Sequence, residues 1–69
     1  MAYHAEMDDL TKLRERVRAA PAPVREIAAK AGVRERWLRA FVAGDIPEPG
    51  YAKVKRLQRA MRWAERPRA

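Results

Sequence analysis

Apolar residues recur with helical spacing along the chain, and prolines and glycines separate the stretches in which they recur. The first stretch places three apolar residues at i, i+3 and i+7, namely Leu10, Leu13 and Val17. This spacing predicts a helix from Asp8 or Asp9 to Ala19, and either aspartate would cap it. The segment 21–23 ends the helix, because its two prolines lack the N–H group that a helix interior donates.

Three further helices follow from the same reasoning. The second is predicted from Pro23 to Ala31 and ends at Gly32, since glycine readily adopts positive φ. The third runs from Arg34 to Ala43 and ends at Gly44. The fourth runs from Tyr51 to Ala64, with an apolar stripe of Val54, Leu57 and Met61. No strand pattern is visible, so we expect an all-α fold, a compact bundle of four to five short helices.

The length of 69 residues allows one small domain. We expect a flexible N-terminus over residues 1–7, a folded domain over residues 8–65 and a basic C-terminal tail over residues 66–69. The chain has no cysteine, so its core must come from helix packing, extended by dimerisation. Trp63 would either fold back on the first helix or join Ala60 and Ala64 in a dimer contact, and we favour the dimer.

The segment from Val24 to Phe41 carries the most informative pattern. A short helix ends at Gly32 and a second begins about two residues later, and Ala28 supplies a small residue where the helices approach. A wedge of apolar residues would lie between them, namely Ile27, Val33, Leu38 and Phe41. This arrangement is typical of a helix-turn-helix.

With these residues in place, the chain resembles the lambda-repressor-like helix-turn-helix domains of Cro and phage repressors, in particular short phage and prophage regulators. The resemblance covers residues 10–61. Its motif reads Ile27-Ala28, Ala31-Gly32-Val33, Trp37-Leu38, Phe41, Gly44, Ile46-Pro47 and Pro49-Gly50. It implies a bundle that binds operator DNA as one half of a symmetric dimer, with the third helix in the major groove.

Two residues depart from the family pattern. Arg34 stands where the family often has serine or threonine, and arginine cannot accept the hydrogen bond that caps a helix. Val24 stands where the family often has a glutamine that touches a phosphate. Neighbouring Arg25 would replace that contact.

The charge of the chain favours a polyanionic partner. It has 16 basic and 9 acidic residues, a net charge of +7. The resulting positive potential attracts nucleic acid first and an anionic membrane second, although an ordinary solvated surface would show the same excess.

No apolar stretch approaches the ~18 residues of a membrane span. Acidic residues near the start exclude a signal peptide, so we expect a cytoplasmic protein of the bacterial nucleoid or a phage-infected cell.

The third helix has two distinct faces at ~100° per residue. Its inner side carries Trp37, Leu38, Phe41 and Val42, and its outer side carries Glu35, Arg36, Arg39, Ala40 and Ala43. On the outer side, Arg36 and Arg39 would pair with guanine, Glu35 would accept from cytosine, and Ala40 would touch a thymine methyl. Alternatively the arginines are solvated and Arg39 pairs with Glu35. Phosphate contacts are expected from Arg25, Arg34, Tyr51, Lys53 and Lys55. For Tyr51 the alternative is that its hydroxyl only meets water. For Trp37, packing between helices is favoured over base contact.

Together these features predict a sequence-specific, double-stranded DNA-binding transcriptional regulator, a Cro-like repressor acting as a homodimer on a palindromic operator. Two alternatives remain at this point, a helical protein-interaction module and a nonspecific nucleic-acid binder. An enzyme is not expected, because the chain has no serine or cysteine nucleophile and a single histidine. We expect no cofactor, no metal, no small-molecule ligand and no membrane partner.

Overall fold

Four α-helices make up the computed structural model, which describes the backbone of residues 2–67 and the side chains of residues 9–67. In chain order they are α1 (Ala2–Ala19), α2 (Val24–Ala31), α3 (Glu35–Ala43) and α4 (Tyr51–Ala64). Residues 2–67 contain no strand. The prediction of an all-α fold is confirmed, and the starts of α2 and α3 each lie within one residue of their predicted positions.

The predicted start of α1 at Asp8 or Asp9 is wrong, because the helix already begins at Ala2. No proline or glycine interrupts residues 2–19, and alanine, glutamate and methionine in the first turns are good helix formers. In the backbone, residues 2–7 are therefore part of α1. In the predicted tail of residues 66–69, the last two lie outside the described residues.

A tight connection joins α2 to α3. Gly32 has φ of 74°, as its predicted role at the helix end requires. The amides of Gly32 and Val33 donate to the carbonyls of Ala29 and Ala28 at 3.3 and 3.0 Å, so the turn itself satisfies two of the last carbonyls of α2. Arg34 then lies in extended conformation with no side-chain capping bond, which confirms that α3 lacks such a cap.

Apolar side chains from all four helices share one core. Helix α2 packs against both α3 and α4, and α1 also contacts both. The buried apolar residues are Leu13, Val17, Ala22, Ile27, Ala28, Ala31, Leu38, Phe41, Leu57, Ala60, Met61 and Ala64. Of the residues predicted to form the wedge, Ile27, Leu38 and Phe41 are inaccessible to solvent and Val33 packs at the edge of the core. Across the described part of the chain, no helix combines the length and apolarity that crossing a bilayer requires.

Two of the three residues expected at a dimer contact lie inside the chain's own core. Ala60 is 4% exposed and Ala64 is 1% exposed, since both lie on the inner face of α4. The prediction that they contact a second copy is therefore wrong. Trp63 is half-buried on the side of α4 near α2, and the Lys30 ammonium lies 5.3 Å from the centre of its ring.

An ion pair joins α1 to the residue that follows α4. Arg16 Nε and Nη2 donate to the two carboxylate oxygens of Glu65 at 2.8 and 2.7 Å. This hydrogen bonding, aided by the opposite charge, holds the pKa of Glu65 below its ordinary value and raises the pKa of Arg16. Because both side chains are about two-fifths exposed, the stabilisation is modest, ~0.2–1 kcal/mol.

The lowered pKa of Glu65 predicts a pH-dependent contribution to stability. The contribution is fully present above the ordinary carboxyl value of 4.5 and is lost as pH falls through the lower pKa of the folded state. We expect the difference in unfolding free energy between wild type and Glu65→Gln to shrink over this acidic window. Urea denaturation at several pH values measures it, with Glu48→Gln, an exposed carboxylate in the α3–α4 connection, as control. A difference that stays constant with pH would contradict the prediction.

Candidate nucleic-acid interface

One face of α3 is exposed and carries no large apolar side chain. Arg36, Arg39 and Ala43 are exposed on it, and Ala40 is half-buried between them and the core side. Leu38 and Phe41 point into the core from the opposite face. The two faces predicted from the spacing are therefore confirmed. The outer face is basic and shallow, so a partner can approach the helix backbone closely.

Glu35 and Arg39 form an ion pair on this face. Arg39 donates through Nε and Nη2 to one carboxylate oxygen of Glu35, at 2.9 and 2.6 Å. The pairing expected as the alternative to DNA contact is thus present in the free protein. An exposed i, i+4 pair contributes only ~0.3–0.5 kcal/mol, so a partner with a stronger acceptor can displace it. Arg36 makes no ion pair with any residue in the described range 9–67.

Two arginines of α1 fasten the end of α3. Arg14 Nε donates to the carbonyl oxygen of Phe41 at 2.8 Å, and its guanidinium also lies 4.9 Å from the centre of the Phe41 ring. Arg18 Nη2 donates to the carbonyl oxygen of Val42 at 2.6 Å. Both carbonyls lie in the last turn of α3, where the Phe41 carbonyl also accepts from the Gly44 amide at 3.1 Å, and positive charge there favours the helix dipole. The arginines therefore hold the orientation of α3 on the bundle.

Near the start of α3, Trp37 is partly buried against the core. Trp37 stacks on Phe41 with ring centres 5.4 Å apart and planes 4° from parallel. Trp37 is thus partly buried against the core, as the packing interpretation predicts, while its stacking partner lies within α3 itself. The ammonium of Lys53, from α4, lies 5.2 Å from the centre of the Trp37 ring. Lys53 therefore presents a positive charge beside α3.

The residues expected to contact phosphates lie in two separate places on the surface. Arg25 at the start of α2 and Arg34 before α3 are exposed, and Lys53 lies beside α3. Tyr51, which is 77% exposed, and Lys55 instead line a shallow depression along α4, where the Lys55 ammonium lies 5.5 Å from the Tyr51 ring centre.

Three more basic residues line that depression, and the sequence reasoning above missed them. They are Arg56, Arg59 and Arg62, and all three are exposed. Together with Lys55 they form what we call the α4 basic stripe. The signal was available in the sequence, since α4 contains five basic residues and no acidic one.

Comparison with protein-family models, with curated proteins and with solved structures finds no match for this chain. A function can therefore be proposed only from the residues and their geometry.

Proposed function

We propose that the chain is a helix-turn-helix protein that binds double-stranded DNA sequence-specifically, with α3 in the major groove. The observation that carries the proposal is the outer face of α3, where exposed Arg36 and Arg39 lie beside small alanines. A helix must come close to the groove floor for its side chains to reach base edges, and alanines permit this approach. An arginine guanidinium matches the O6 and N7 acceptors of guanine with two parallel donors.

The contacts that hold α3 on the bundle support base reading rather than nonspecific electrostatic binding. Specific recognition needs side chains that are held in a fixed position. Here α3 is tied to α1 through Arg14 and Arg18 and packs on the core through Leu38 and Phe41. Within this proposal Arg36 pairs directly with a guanine. The Glu35 carboxylate holds Arg39 in place until a base edge or phosphate replaces it, and Glu35 then accepts from a cytosine amino group.

Phosphate contacts would fix the register of α3 in the groove. Arg25 and Arg34 lie at the beginnings of the two helices, and Lys53 lies beside Trp37. Such contacts position a protein on the duplex without specifying sequence. We further propose that the protein is a Cro-like transcriptional repressor that acts as a homodimer on a palindromic operator. The support for this role is the resemblance of its helix-turn-helix motif to that family.

Selection of bound sites from a random pool of DNA duplexes tests the proposal. We expect enrichment of a guanine-containing consensus, and two inverted half-sites if the protein binds as a dimer. Binding of the enriched site and of an unselected duplex is then compared at about 50 and about 200 mM salt, since purely electrostatic binding falls steeply with salt and has no preference. Failure to enrich any sequence, together with such a salt dependence, would leave only nonspecific binding and overturn the proposal. Absence of binding to any duplex would favour a protein-interaction module.

A further inference from the structure

Most of the net positive charge of this protein lies away from α3. Helix α4 carries five basic residues and no acidic one; Lys53 lies beside α3, and the other four form the α4 basic stripe, a charge of +4 against a net charge of +7 for the chain. By comparison, α3 carries two arginines and one glutamate, and the glutamate pairs with Arg39. No ion pair involves the α4 basic stripe among residues 9–67. The strongest unneutralised surface is therefore on a helix that the proposed base-reading role does not use.

The stripe faces away from the core and away from Lys53. At ~100° per residue, Lys55, Arg59 and Arg62 fall within an arc of about 60°, roughly opposite the buried residues of α4, and Arg56 lies about 60° beyond Arg59. Lys53, which reaches Trp37 of α3, lies about 180° from Arg62 on the same helix. Since α3 and α4 both direct their buried residues to one core, their exposed faces lie on different sides of it.

A straight duplex bound to α3 would not reach the stripe. The protein measures 22 and 19 Å along its two shorter axes. DNA has a persistence length of about 150 base pairs, so it resists wrapping around so small a body. We propose that the α4 basic stripe is a second DNA-binding surface that holds the phosphate backbone of a separate duplex segment, so that the protein bridges two segments. This inference rests on the proposed function for the first duplex.

The chemistry of the stripe fits a phosphate backbone. Lys55 and Arg62 are seven residues apart, about 10 Å along the helix axis. A duplex presents one negative charge per about 1.7 Å of its axis, so several phosphates face such a stripe. An anionic membrane is a poorer partner, because a helix that lies in a bilayer surface buries an apolar face there, and the apolar face of α4 is already in the core. Because contacts to the phosphate backbone carry no sequence information, we expect the stripe to bind duplexes without sequence preference.

Co-capture of two duplexes tests the bridge. A duplex of about 20 base pairs, two helical turns, is immobilised, and a second duplex with a fluorescent label is added with the protein at about 50 mM salt. The variant R59Q/R62Q removes two exposed charges from the stripe and keeps good helix formers. The control K12Q/R66Q removes two exposed charges from elsewhere. Circular dichroism confirms the helix content of each variant.

We expect wild type and K12Q/R66Q to retain the second duplex. R59Q/R62Q should bind one duplex normally but hold the second at least about tenfold more weakly, with a salt slope shallower by about 1.8. The single variant R62Q should change the slope by about 0.9. Unchanged co-capture by R59Q/R62Q, or no co-capture by wild type while single-duplex binding depends on Arg36, would overturn the proposal.

The variant R36Q separates failure of this inference from failure of the proposed function. If one duplex still binds to R36Q but not to R59Q/R62Q, the role of α3 is overturned and the stripe is supported as the duplex-binding surface. Vesicles of phosphatidylglycerol and phosphatidylcholine provide the remaining comparison. Vesicle binding that R59Q/R62Q abolishes, together with unchanged co-capture of duplexes, would overturn the proposal in favour of a membrane surface.

Discussion

Replacement of Phe41 by alanine is expected to unfold the protein at room temperature. The Phe41 side chain is completely buried, stacked on Trp37 and covered by the Arg14 guanidinium. Truncation of a buried phenylalanine costs about 3–5 kcal/mol, because apolar surface is lost and a cavity remains. A domain of this size rarely gains more than ~3–5 kcal/mol from its core, so the variant would have no stability left. Loss of the helical circular-dichroism signal of Phe41→Ala in the absence of denaturant is the expected measurement.

Two companion variants make this result interpretable. Phe41→Leu keeps an apolar side chain, so it should remain folded but unfold at a lower urea concentration than wild type. Tyr51→Ala removes an aromatic ring that is 77% exposed, and its unfolding free energy should stay within about 0.5 kcal/mol of wild type. If Phe41→Ala unfolded cooperatively with the wild-type midpoint, Phe41 could not be the centre of the core.

The importance of Phe41 could be predicted from the sequence, whereas the contact that covers it could not. Residues 27–41 have helical spacing around Gly32, and that local pattern was enough to identify the wedge and the inner face of α3. Arg14 and Arg18 bond to carbonyls 27 and 24 residues further along the chain. Spacing within α1 indicates only that these side chains lie off its apolar stripe. What they contact depends on how α1 packs on α3, which no local pattern contains.

The errors at α1 and α4 have different physical causes. An aspartate before an apolar stripe is a good sign of a helix start, but nothing at Asp8 or Asp9 stops a helix that has already begun at Ala2. At α4, Ala60 and Ala64 lie at i+3 and i+7 from Leu57, so the spacing that predicts the apolar stripe also predicts their burial. The dimer assignment followed instead from the suitability of small residues for an interface. The Glu35–Arg39 pair was foreseeable, since i, i+4 neighbours meet on any helix. The separation of Lys53 from Lys55 follows from the same periodicity, applied to α4.

Within the candidate interface, replacement of Arg36 by alanine is expected to have the largest effect on DNA binding. Affinity for the selected site should fall by ~1–3 kcal/mol, about 5- to 150-fold, and one guanine preference should be lost. Arg36 is chosen because it is exposed and makes no ion pair within residues 9–67. Arg39, by contrast, must break its ion pair with Glu35 before it can contact a base. Titration of the selected duplex and of single-base variants measures both effects.

Arg36 contacts either a base or a phosphate, and the loss of affinity measured on different DNA sequences distinguishes the two. Arg36→Lys keeps the charge but not the planar pair of donors, so a base-reading role predicts that it retains nonspecific binding and loses the guanine preference. Lys12→Ala removes one exposed charge from α1 and should leave that preference intact. If Arg36→Ala weakened every duplex equally and made the salt slope shallower by about 1, Arg36 would be a phosphate contact. Base reading by α3 would then have to depend on Arg39 alone, with Glu35 competing for it.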